Sequence, residues 1–192
     1  MPWIARGGTG KPTGSDMMIQ RRVVGHPAFG PEGTESRTTH APQPPGVNDM
    51  HDILQDFPIA ADPSRVYRAV SDPALLDEWW TIRSSGNPSV GARYDLDFGP
   101  GYQWGAVVTK AEPGTAFELR MTDADADWLG SRVGFDLEPA SGGTQVRFYH
   151  RGWPEANAHY RTSCHCWAMY LRILRRHIEH GESVPYEKRL DV

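Results

Sequence analysis

The chain reads as an α+β protein, a helix-grip in outline: a curved antiparallel sheet of about six strands wrapped on one long C-terminal helix, with two short helices after the first strand. Three observations predict it. Between residues 93 and 150, apolar and polar residues alternate in five consecutive runs separated by turn-forming segments, the period-two pattern of half-buried strands. Ahead of them, Asp62-Pro63 and Asp72-Pro73 each join a capping residue to a proline suited to the first helical position. Behind them, one run from Pro154 to Gly181 keeps a helical apolar period.

Taken in order, Ile53, Phe57 and Ile59 lie in an extended run that contains Pro58. Residues 51–59 are therefore expected as an edge strand, where a residue without an N–H is tolerated. After Asp62-Pro63, Val66, Tyr67 and Val70 share a helical face, and a second helix is expected over residues 74–80. Tyr94, Leu96 and Phe98 then alternate with Arg93, Asp95 and Asp97, and Gly99-Pro100-Gly101 turns the chain. Further strands follow at 104–109, at Phe117, Leu119 and Met121, at Val133, Phe135 and Leu137, and at Val146, Phe148 and His150. Successive hairpins with one apolar face need a cover. The last helix supplies it: Tyr160, Cys164, Trp167, Leu171, Leu174 and Ile178 recur at spacings of 4, 3, 4, 3 and 4. At 1.5 Å per residue that helix is about 40 Å long, enough to cross the sheet.

The first 48 residues are different material. They hold 8 of the 20 Gly and 7 of the 16 Pro, and no apolar period persists in them. Such a segment buries too little apolar surface to offset its ordering entropy. It is expected to be a disordered tail, or sequence upstream of a true start at Met50. The domain is expected over residues 49–182, with 183–192 a short C-terminal tail. A net charge of −4 leaves no basic face for nucleic acid. No stretch approaches the roughly 20 apolar residues of a membrane span. Met1-Pro-Trp-Ile4 opens no apolar signal region, so a cytoplasmic location is expected. The oligomeric state stays open.

Several segments also carry a family resemblance. Residues 59–70 (Ile-Ala-Ala-Asp-Pro-Ser-Arg-Val-Tyr-Arg-Ala-Val), then Asp72-Pro73 and Trp79-Trp80, resemble the opening of SRPBCC proteins, the START-like, birch-pollen-allergen-like superfamily. Glu112-Pro113, residues 135–139 (Phe-Asp-Leu-Glu-Pro), residues 142–150, Trp167 and residues 179–182 (Glu-His-Gly-Glu) are similar to the branch named for the activator of the heat-shock-protein ATPase. The resemblance implies a sheet gripping the long helix with a cavity between them. It does not imply one activity, because the superfamily includes carriers, cyclases, hydrolases and co-chaperone modules.

The inward positions are large and aromatic. The expected ligand-contacting set is Trp80, Tyr94, Phe98, Trp104, Phe117, Met121, Phe135, Phe148, His150, Tyr160, Trp167 and Leu171. Its leading function is to enclose a small hydrophobic or aromatic molecule; its alternative is a packed core. His150 alternates with Val146 and Phe148 onto the apolar side, which makes it the one candidate acid or base, or else a hydrogen-bonded structural histidine. His159 and Tyr160 are expected near the cavity mouth, and Ala168, if it faces inward, would be a position at which a larger side chain fills the cavity. An enzyme of cyclase, dehydratase or hydrolase type, and a protein-interaction module, are the other functions carried forward.

No cofactor or metal is expected. Cys164 and Cys166 lie two apart on a helix and point about 200° away from each other. Asp123-Ala-Asp-Ala-Asp127 resembles a calcium loop, but Trp128 stands where that loop needs Gly and Gly134 where it needs Glu. There is no nucleotide-binding glycine motif or nucleophile elbow. The ligand reading depends on a hollow remaining between sheet and helix. If the rings fill it, the exterior must explain the protein.

Overall fold

A computed structural model describes residues 50–191, and the tail expected over residues 1–48 lies outside them. The elements are β1 (His51–Ile59), α1 (Pro63–Ser71), α2 (Pro73–Leu76), β2 (Arg83–Ser85), β3 (Arg93–Asp97), β4 (Gln103–Glu112), β5 (Ala116–Asp123), β6 (Arg132–Ala140), β7 (Gly143–Trp153) and α3 (Ala158–His180). The strands form one antiparallel sheet in the order β1-β7-β6-β5-β4-β3-β2. First and last strands are neighbours, so the meander curls back toward its own start.

Seven strands stand where about six were expected. The additional one, β2, has three residues and no apolar alternation. It is held by pairing with β3 and by the Ser84 hydroxyl, which donates to the Pro73 carbonyl at 2.8 Å and to Asp77 at 2.9 Å. Pro63 and Pro73 open their helices as expected, although only Asp72 caps through its side chain, accepting from the Ala74 N–H at 2.9 Å. Helix α2 is shorter than residues 74–80. The chain continues as a turn in which the Trp80 N–H reaches the Leu76 carbonyl at 2.8 Å, and this turns Trp79 and Trp80 into the core.

Helix α3 begins later than Pro154. Strand β7 runs on through Trp153, and Asn157 caps the helix by accepting from the Tyr160 N–H at 2.9 Å. Gly181 ends it with φ of 69°, the left-handed conformation glycine adopts freely. Its 23 residues make about 34 Å rather than about 40 Å. The buried face is broader than the expected stripe and turned from it: Ser163, Cys166 and Tyr170 are buried, Cys164 only partly, and Ala168 is exposed. Ala168 therefore does not face inward.

The C-terminal residues account for part of that turn. Residues 183–191 dock on the domain where a tail was expected. The Arg189 guanidinium is 4% exposed and donates to the carbonyls of Val184, Thr81 and Asp77. Tyr186, beneath it, donates to the Phe98 carbonyl at 3.3 Å and shares a hydrogen bond with Tyr170. The Tyr170 side of α3 is thus covered by the chain's own end.

On the outward face of the sheet, Tyr149 is buried although alternation points it to solvent. It lies over Gly134, where a Cβ would meet its ring at 2.3 Å, so the position requires glycine for space. Its hydroxyl donates to Glu118 at 3.0 Å, which also accepts from Thr109 at 2.6 Å and Arg132 at 2.9 Å. Burial alone would raise the Glu118 pKa; these donors outweigh it and hold the carboxyl below its usual range.

Candidate functional site

The interior at the N-terminal half of α3 gathers aromatic rings from every layer. The turn after α2 brings Trp80, the end of β3 brings Phe98, and β4 brings Trp104. Strand β7 contributes Phe148, His150 and Trp153, and α3 contributes Trp167 and Tyr170. The turn between β5 and β6 contributes Trp128. Centroids lie 5.4 Å apart for Trp80 and Phe98, 5.1 Å for Phe98 and Trp104, 4.8 Å for Trp104 and Trp128, and 4.6 Å for Phe148 and Trp167. These offset and edge contacts are the arrangements that ring quadrupoles favour.

The rings nearly fill the expected hollow. What remains is a slit of about 10 Å³ lined by Trp80, Phe98, Trp104, Trp128, Ser163, Cys166, Trp167 and Tyr170. That is about the space of one water, so no benzene-sized guest fits while the rings stand as they do. A larger groove of about 320 Å³ lies along β2, β3 and β4, lined in part by Arg83, Arg93, Asp95 and Asp97. Arg93 and Asp95 pair with each other at 2.7 Å and are more than half exposed, so that groove offers a ligand little that solvent does not. The slit is the stronger candidate.

Of the residues expected to contact a ligand, Trp80, Phe98, Trp104 and Trp167 meet at the slit. Tyr94, Phe117, Met121, Phe135, Phe148 and Leu171 are buried core residues that do not line it, although Phe148 packs on Trp167 at 4.6 Å. Tyr94 and Phe117 pack 5.8 Å apart, and the Tyr94 hydroxyl donates to the Ser71 carbonyl at 2.5 Å. Tyr160 does not line the slit; its hydroxyl donates to the Asp52 carbonyl at 2.9 Å and its ring lies 5.5 Å from Trp153. Sequence reasoning missed Trp128, Ser163, Cys166 and Tyr170. For Trp128 the available signal was a large indole in a turn otherwise made of Asp, Ala, Leu, Gly and Ser.

His150 is wholly buried, but both ring nitrogens are engaged. Its Nδ1 accepts from Trp167 Nε1 at 3.1 Å, and its Nε2 lies 2.8 Å from the Ser131 hydroxyl. That hydroxyl donates to the Trp128 carbonyl at 2.6 Å, so the ring is a neutral imidazole carrying its proton on Nε2. Burial, assisted by His159 nearby, pushes its pKa down to about 3. Helix, sheet and turn are thereby tied through one histidine. It has no free nitrogen for acid–base work, and the structure favours the hydrogen-bonded structural histidine.

His159 faces Asp127 across the start of α3, Nδ1 to Oδ2 at 3.1 Å, and Asn157 donates to the same oxygen at 3.2 Å. The Asp-rich segment is a turn in which the Asp125 carbonyl accepts from the N–H groups of Trp128 and Leu129. Three buried nitrogens here have no hydrogen-bond partner: Trp128 Nε1, Trp153 Nε1 and His159 Nε2. Burial raises the pKa of the Cys166 thiol and of the Tyr170 phenol, so both stay protonated at neutral pH. Among the described residues, no cluster of three or more His, Cys, Asp or Glu side chains is placed to hold a metal ion.

Residues 60–179 match the family described as Activator of Hsp90 ATPase homolog 1-like protein. The chain belongs to that family. This places it in the activator-like branch of the SRPBCC superfamily, as the sequence resemblance implied. The Aha1 dimer from Colwellia psychrerythraea is 29% identical, with 70% of this chain and all of that chain covered and a TM-score of 0.64. Protein MLL2253 from Mesorhizobium loti (23% identity, 69% and 99% covered, TM-score 0.61) and CalU16 from Micromonospora echinospora (18% identity, 74% and 85% covered, TM-score 0.58) share the fold. A search of curated protein sequences finds no match. The activator-like fold is compatible with hydrophobic-ligand binding, and no helix among the described residues is long and apolar enough to cross a membrane.

Proposed function

We propose that the protein binds a small hydrophobic or aromatic molecule between the sheet and α3, in the cytoplasm, without transforming it. The observation that supports the reading is the wall of rings at this point, Trp80, Phe98, Trp104, Trp128, Trp167 and Tyr170, with only Ser163 and Cys166 as further lining; the expected hollow itself is filled to about one water, so the reading requires that a ring give way. Affinity would come from desolvating the guest against these rings, at roughly 25 cal/mol per Å² of apolar surface before the costs of binding. The enzyme alternative has less support, because the titratable groups at the slit keep their protons and His150 is committed to Trp167 and Ser131.

Native mass spectrometry of protein purified from its own host should show a co-purified small molecule. Naphthalene titrated into the stripped protein should perturb its tryptophan fluorescence. If no mass is carried and naphthalene leaves the spectrum unchanged, the interior reading fails and the exterior must be explored instead. Because the slit holds about one water, any guest must displace a ring.

A further inference from the structure

The surroundings of each ring single out the one that moves. Trp104 and Trp167 rise from β4 and α3. Trp80 precedes Thr81, which is wholly buried and whose carbonyl Arg189 holds, and the Phe98 main chain is bonded to Tyr102 and Tyr186. Trp128 belongs to the turn 124–131, beside Leu129, which is 57% exposed. Its indole N–H is buried without a partner, although buried tryptophans ordinarily find one. Its departure therefore breaks no side-chain hydrogen bond. The outer part of the turn is tied to α3 by Asp127 on Asn157 and His159. The inner end is tied to the sheet by Met121, which exchanges hydrogen bonds with Gly130 and Ser131, and Ser131 in turn holds the Trp128 carbonyl through its N–H and its hydroxyl. Releasing Asp127 frees the outer turn, so that the Trp128 side chain can swing out about a main chain that Ser131 keeps in place.

Beside Trp128 stands Trp153, and beside Trp153 stands His159, each with an orphaned nitrogen. The Trp153 ring is 5.7 Å from Trp128 and 5.4 Å from His159, and Trp153 Nε1 and His159 Nε2 are both buried and unpartnered. The indole nitrogen only donates. In the neutral His159 ring that donates its Nδ1–H to Asp127, the lone pair is on Nε2. A hydroxyl group accepts from the first and donates to the second. A bare hydrocarbon satisfies neither.

We propose that Trp128 is a built-in plug of the interior site, held by an Asp127 latch, and that the molecule replacing it is a flat aromatic carrying a hydroxyl. This rests on the interior-binding reading above. The full chain, labelled with 5-fluorotryptophan, is titrated with 2-naphthol and with naphthalene and followed by fluorine NMR, with the Trp128 resonance assigned from Trp128→Phe. On 2-naphthol that resonance should move to a solvent-exposed position. Asp127→Ala should bind naphthalene about tenfold more tightly, because the closed state no longer competes as strongly; naphthalene reads the latch alone, since Asp127 also orients the His159 proton. Trp153→Phe should lose about tenfold in 2-naphthol affinity, the scale of one hydrogen bond, with naphthalene unchanged.

A Trp128 resonance that stays in place while the Trp167 resonance responds to bound 2-naphthol would overturn the plug and leave the interior reading standing. Equal losses for both probes in Trp153→Phe would overturn the hydroxyl. Failure of both probes to bind any form would overturn the plug and the interior reading together.

Discussion

The two ends of the interior are built from the same kinds of side chain and finished differently. Beneath α1 and α2, each polar tip has a partner: the Trp79 indole donates to the Ala69 carbonyl at 3.0 Å, Tyr94 to Ser71 at 2.5 Å, and the Ser71 hydroxyl to Tyr67 at 2.7 Å. Beneath the N-terminal half of α3, two indoles and an imidazole nitrogen are buried without one, and the slit lies beside them. Buried polar groups are hydrogen-bonded in the great majority of cases, so the first end is what a core looks like. The second has surrendered stability at a few atoms, as binding sites do. Ring density alone does not separate core from site here; hydrogen-bond satisfaction does.

The largest effect that tests this contrast is a truncation at each end. Phe117→Ala is expected to cost about 3–5 kcal/mol, the usual range for a buried ring. Trp128→Ala should cost about 1–3 kcal/mol less, because it also removes an N–H held dry without a partner. Urea unfolding of both variants measures the difference. Equal losses would mean the two ends are one core.

A pH series sharpens the contrast next. His150 has its pKa lowered from an ordinary 6.5 to about 3 by burial, so the unfolded chain binds a proton that the folded chain refuses. Stability should therefore be intact above pH 6.5 and fall progressively below it, the fall ending only near the folded value of about 3. By pH 5 the loss is about 2 kcal/mol. Glu118, whose pKa is also lowered, acts below the ordinary glutamate range and so leaves this window to the histidine. Chemical denaturation at pH 7 and pH 5 checks it, with His150→Gln expected to flatten the slope. A wild-type slope that survives the substitution would place the proton elsewhere.

Most of the fold was legible because it follows from period and punctuation. Alternation from Tyr94 to Phe148 gave the strands, Asp-Pro pairs gave the helix starts, and Gly181 gave the stop. Strand β2 was not legible: Arg83, Ser84 and Ser85 carry no apolar pattern, and only their neighbours hold them. The site was half legible. Trp104 and Trp167 follow from periodicity on β4 and α3, and Phe98 continues the alternation of Tyr94 and Leu96 one residue past β3, whereas Trp80 and Trp128 sit in turns, where no period says which way a side chain points. Tyr170 was hidden for a related reason. The stripe through Trp167 and Leu171 left out a flank that Tyr186 helps to cover through its hydrogen bond with Tyr170, and a helical period does not announce a contact with the segment that follows the helix.

The smallest expected effect comes from removing single polar tips at each end. Tyr94→Phe deletes a hydroxyl that satisfies the Ser71 carbonyl in a fully buried setting. It should cost about 1 kcal/mol, the net worth of one hydrogen bond. Trp128→Phe keeps a ring and deletes an N–H that bonds nothing, so the loss of packing is offset by relief of the unpaired donor. It should fall well below the full penalty of a truncated indole, and the thermal midpoint should shift little. Differential scanning calorimetry of the two variants side by side gives the comparison. A neutral Tyr94→Phe would show that satisfied tips contribute little at the core end, and the energetic distinction between core and site would then rest on Trp128 and Trp153 alone.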